Sequence, residues 1–169
     1  MPAISSLPFS VLAAGVLVAT VVDIRTRRIP NALTAAMAGV GIGLAASGAS
    51  DVTTGAAAFG FALGLALMLP GYALGATGAG DVKLMAAVGA LVGPGLVVKA
   101  FLFTAVAGGV LALAVAVRRR RLALTLAGTA RLMAVPSGAR EEIQAAAPAS
   151  RFAYGPAIAM GSVLAALVG

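Results

Sequence analysis

The chain has 169 residues, of which 61% are hydrophobic and 10% charged, with a formal net charge of +7 and no cysteine, histidine or tryptophan; its mean hydropathy is +1.07. So few charges cannot give a domain of this size a water-facing surface, so the chain reads as an integral membrane protein with one membrane-embedded domain spanning residues 1–169. Lacking cysteine and histidine, it has no disulfide, no thiolate metal site, no thiol nucleophile and none of the commonest general base, which leaves carboxylates, hydroxyls, Lys and Arg for any chemistry; no metal and no cofactor is expected.

Six apolar segments follow one another, and the expected fold is an all-α polytopic helix bundle. The first covers about residues 7–22 and ends at Asp23, before the basic gap "IRTRR"; it has no basic residue ahead of it and does not read as a signal peptide. The second covers about 32–46 and ends in "SGASD", and the third covers about 54–74 and leads into "GATGAGD". The fourth starts just after Asp81 and stops at the breaker "GPG", residues 93–95. The fifth runs on to about 117 and the last covers about 156–168. Residues 118–155 are less apolar, and "RRRRLALTLAGTARLM" reads as an amphipathic helix lying along the cytoplasmic interface before a loop.

The basic residues lie in short gaps rather than along one polar face, which argues against a nucleic-acid partner and for membrane orientation. With the N-terminus outside and six crossings, the cytoplasmic gaps hold Arg25, Arg27, Arg28, Lys83, Arg118 to Arg121, Arg131, Arg140 and Arg151. That is 11 of the 12 basic residues, with Lys99 alone on the other side. The fourth segment is short: residues 82–92 span only ~16 Å, against a hydrocarbon core of ~30 Å. Irregular backbone at that depth is tolerated only against protein or a water-filled cavity, which points to a site at Asp81.

There are five acids. Asp51, in an outer turn, and Glu141 with Glu142, in the cytoplasmic loop, are most simply solvated. Asp23 and Asp81 each fall at the cytoplasmic end of an apolar helix, where a carboxylate is costly and marks a functional candidate. Their structural alternatives are plain: Asp81 as a helix N-cap, and Asp23 paired with Arg25, Arg27 or Arg28. If the two helices pack together the carboxylates meet, and one keeps a proton while the other is ionised. Such a pair hydrolyses a peptide bond without histidine, cysteine or metal. Gly78 and Gly80, just ahead of Asp81, favour this reading, because a plain cap needs neither the room nor the unusual dihedrals that glycine offers.

"GAGDVKLMAAVGALVG" resembles the GxGD segment of the type IV prepilin peptidases, a family of membrane aspartyl proteases. "DIRTRRIPNALT" is similar to that family's other acidic motif, and "FAYGPAIAMG" to its third signature at the opening of the last helix. The resemblance implies Asp23 and Asp81 as catalytic pair and Gly78 and Gly80 as active-site loop glycines, with Lys83 the basic residue after the motif. Pro30 with Asn31, and Tyr154 with Gly155 and Pro156, match its structural elements, although Ala153 stands where that family has proline. It further implies a multi-pass protein of the plasma (inner) membrane that removes basic leaders from prepilins or pseudopilins at the cytoplasmic face, leaving a product that begins with a hydrophobic helix. A short chain without cysteine resembles the peptidase-only type associated with tight-adherence pili. Two other classes use the same acids differently: a small proton-coupled carrier, and a non-catalytic pilus-assembly scaffold in which they are caps.

Overall fold

The computed structural model of the chain describes residues 5–118 and 154–168. In lipid, a backbone must satisfy its own hydrogen bonds, and long apolar runs do so as helices. Five are present among the described residues: α1 (Ser6–Thr26), α2 (Asn31–Ala46), α3 (Thr54–Ala73), α4 (Ala79–Arg118) and α5 (Gly155–Val168). Ser6–Thr26, Thr54–Ala73 and Ala79–Leu111 are long and apolar enough to cross a membrane, while α2 and α5 are shorter apolar helices. The all-α expectation holds, but the helices number five rather than six. The fourth and fifth expected segments are joined in α4, because the "GPG" breaker interrupts helical geometry at Gly93 alone. Pro94 begins the second arm, where its missing N–H costs little.

Gly93 has φ 79° and ψ 177°, a conformation open to glycine and closed to most other residues. It reverses the chain. Thr77, before α4, lines one cavity together with Phe101 and Ala105 of the second arm; on a straight helix Thr77 and Ala105 would be roughly 40 Å apart. The short fourth segment is thus the first arm of a folded-back helix.

That first arm is the centre of the molecule. From Asp81 to Gly93 every residue except Lys83 is buried, as expected of a helix apolar on all sides. Leu84, Met85, Val88 and Leu91 form its core with Leu12 and Val16 of α1 and Ile158 of α5. The α3 helix packs on it most closely: a methyl group on Gly60 would collide with the Gly89 carbonyl, and one on Gly89 with the Gly60 carbonyl. Small residues allow this backbone contact, which substitutes for the hydrophobic drive absent in lipid.

The two ends of the bundle differ. At one, the Ser5 N–H donates to the Asp51 carboxylate at 2.9 Å, so Asp51, exposed as expected, also ties the start of α1 to the α2–α3 link. Asp23, Asp81 and the start of α5 share the other end. The expected interfacial helix and loop, with Arg119 to Arg121, Glu141, Glu142 and Ala153, lie outside the described residues.

Candidate active site

Asp23 belongs to α1, which continues a further turn beyond the expected end, to Thr26. Its side chain is therefore buried, at 6% exposure, and Asp81 is equally so at 8%. Arg27 closes α1 in the left-handed region, φ 53°, with its N–H donating to the Asp23 carbonyl at 2.7 Å. A positive φ is uncommon outside glycine. It turns the chain toward α4, where Ile29 settles on Gly80: a Cβ at Gly80 would stand 3.0 Å from the Ile29 Cβ and 3.4 Å from its nitrogen.

Pro30 is extended (φ −64°, ψ 134°) and stands just before α2 rather than in its first turn, so Asn31 opens the helix. The Lys83 Nζ donates to the Asn31 Oδ1 at 2.9 Å. Gly80 and Lys83 thus hold the α1–α2 link against the first turn of α4 by packing and by a polar bond, and this sets Asp23 beside Asp81.

Asp81 is the third residue of α4, not its cap. Its Oδ2 reaches back to accept the Gly78 N–H at 2.9 Å, as an acid at the third helical position does in a capping box. The capping role and a chemical role are therefore compatible. Gly78 allows this close return, since a Cβ there would lie 3.2 Å from the same oxygen. Neither Gly78 nor Gly80 has a positive φ; in this loop that conformation belongs to Gly75, at 75°. The two motif glycines supply room, not unusual dihedrals, and much of the room at Gly80 is filled by Ile29.

Asp23 is held in a parallel way. Gly155 is the first residue of α5, and its N–H, which has no partner within a helix, donates to the Asp23 Oδ2 at 2.9 Å. A Cβ at Gly155 would stand 2.8 Å from that oxygen. Pro156 follows at a position where its missing N–H is not needed. Tyr154 lies against α4's second arm, so close that a Cβ on Gly108 would stand 2.7 Å from the phenol oxygen. Burial, and then the charge of Asp81, push its phenol above the usual tyrosine range, so it stays a neutral donor at ordinary pH.

Asp23 and Asp81 line one cleft of about 470 Å³ together with Arg27, Arg28, Ile29, Tyr72 and the loop residues from Gly75 through Gly80. Gly78 and Gly80 are in its wall. Lys83, Pro30, Asn31, Tyr154, Gly155 and Pro156 stand behind it and position what lines it. Tyr72, which no motif marks, comes to the cleft through the packing of α3, and Ile29, which precedes Pro30 and Asn31 in the first acidic motif, through the α1–α2 link. No group of three or more metal-binding side chains occurs among the described residues. Two buried carboxylates facing one polar cleft, each oriented by a backbone amide at a helix start, form an arrangement suited to acid–base work on a water molecule.

Residues 10–113 match the type IV leader peptidase family. The match covers more than half of the chain, which therefore belongs to that family, one of prepilin peptidase hydrolases. Comparison with curated proteins gives no match, and neither does comparison with solved structures.

Proposed function

We propose that this leader peptidase is an aspartic endopeptidase of the inner membrane that removes the basic leader from prepilins or pseudopilins, with Asp23 and Asp81 as its catalytic pair. The N-terminus lies outside and the acid cleft faces the cytoplasm, in keeping with Arg25, Arg27, Arg28 and Lys83 at that end of the bundle. The absence of cysteine among these residues suits the peptidase-only type serving tight-adherence pili. The observation that carries the mechanism is that both carboxylates line one cleft, each with one oxygen fixed by a backbone amide.

In the reaction, the ionised carboxylate of the pair takes a proton from water as its oxygen bonds to the scissile carbonyl carbon. The protonated partner gives its proton to the carbonyl oxygen. The neutral tetrahedral diol then collapses: the C–N bond breaks, the nitrogen takes a proton from the carboxyl that received one, and a diol hydroxyl returns its proton to the other. The products are the leader's new carboxyl terminus and the mature amino terminus, and the pair is left with its single shared proton. The amides of Gly78 and Gly155 keep the two carboxylates from turning away, which is worth more than binding strength alone in a reaction limited by orientation.

Co-expression with a prepilin, scored by mass for leader removal, tests this reading. Leader loss that depends on both acids supports it. Solute flux that depends on the acids, with prepilin left intact, would instead fit a proton-coupled carrier.

A further inference from the structure

A second cavity adjoins the acid cleft. It measures about 620 Å³ and is walled by the end of α3 (Met68, Pro70, Gly71), by Phe101 and Ala105 of α4's second arm, and by Tyr154. It carries no charged residue, whereas the acid cleft has both signs. Ala76 and Thr77 line both cavities, so a chain leaving the acids past this loop passes directly from polar to apolar walls.

We propose that this cavity receives the apolar segment that follows the scissile bond of the substrate, an inference that rests on the peptidase reading of Asp23 and Asp81. Seven of its ten lining residues belong to the stretches Thr54–Ala73 and Ala79–Leu111, both apolar enough to cross a membrane, so most of its wall is built from membrane-crossing helix. Beside it on the same helices Leu69, Leu102 and Val106 are exposed, at 43%, 57% and 66%, and in a bilayer those side chains meet lipid. A substrate segment already helical in the membrane enters sideways from there without exposing backbone to hydrocarbon. Its size falls within the ~300–1,000 Å³ of ordinary ligand sites. The Thr77 hydroxyl, in the shared wall, is buried and has no hydrogen-bond partner among the described residues. A buried hydroxyl left unpaired is costly, and the substrate backbone, which must be unwound at the bond to be cut, offers both donors and acceptors at this point.

Photo-crosslinking in liposomes tests the assignment. The full chain carrying Asp81→Asn, to keep the substrate whole, receives a benzoylphenylalanine at Ala105 or, as the lipid-facing neighbour, at Val106, and is mixed with a purified prepilin. The expected result is capture of the prepilin's apolar segment at Ala105 with a yield about tenfold above that at Val106, and, in the wild-type background, Ala105→Phe, or Ala66→Phe in the α3 wall of the same cavity, raising KM for that prepilin about tenfold with little change in kcat. Equal yields at the two positions, or crosslinks from Ala105 only to lipid or to the protein's own chain, would overturn it. Wild-type cleavage of the same prepilin separates the two readings. Cleavage without capture at Ala105 discards the cavity assignment alone, and capture without cleavage discards the peptidase alone.

Discussion

Asp23 and Gly155 stand 132 positions apart in the chain and meet through one hydrogen bond, 2.9 Å from the first amide of α5 to a carboxylate oxygen at the end of α1. The last helix thus presents an amide to one acid of the proposed catalytic pair, as the Gly78 amide does for the other.

Gly155→Ala is expected to lower cleavage about a hundredfold, because its methyl group would stand 2.8 Å from the Asp23 oxygen and a displacement of ~1 Å at a reacting group costs on that order. Gly109→Ala, where a methyl group meets nothing within 4 Å, is the control and should cleave normally. Single-turnover rates on a purified prepilin, with membrane insertion checked in parallel, decide the matter; a Gly155→Ala rate within twofold of wild type contradicts the positioning role.

Lys83 and Asn31 form a polar tie across the α1–α2 link. Lys83→Met and Asn31→Ala should each destabilise the protein by no more than about 1 kcal/mol, given the exposure of both groups. In a double-mutant cycle the second change should add little to the first. Thermal unfolding in detergent reads this, and fully additive losses would show that the two residues act separately.

The backbone contact between α3 and α4 makes a sharper stability prediction. Gly60→Ala or Gly89→Ala forces a methyl group into the opposing carbonyl and should cost on the order of 1–3 kcal/mol, as overpacking does. Gly39→Ala and Gly43→Ala, in α2 with nothing within 4 Å, should be neutral or stabilise by up to about 1 kcal/mol through helix propensity. Melting temperatures of the four variants should split into these two pairs. Equal shifts would mean that α3 does not rely on the close approach.

The helices were legible where composition alone decides: the α2 and α3 boundaries fall within a residue of those expected from the apolar runs. Asp23 and Asp81 were legible because acids are rare in such a chain and one follows a recognisable glycine pattern. The break expected at "GPG" is present at Gly93, but the count of helices was not legible there, because a single residue makes the whole turn and helical geometry resumes at once. The roles of Gly80 and Gly155 were hidden for a different reason. Each glycine is defined by what packs on it, Ile29 in one case and the Asp23 carboxylate in the other, and such partners lie far away in the chain. Local patterning sets helices, but the second partner of a close contact is a tertiary fact.

The central claim, that Asp23 and Asp81 work as one catalytic unit, is tested most directly by the cleavage rates of Asp23→Asn, Asp81→Asn and the double variant on one prepilin. Asn keeps the shape and can still accept the Gly78 or Gly155 amide, so the fold should survive. Each single change is expected to lower the rate by on the order of 10²–10⁴, and the double variant should be no slower than the worse single, as for residues that act together. Either single variant cleaving at the wild-type rate while correctly inserted would contradict the account.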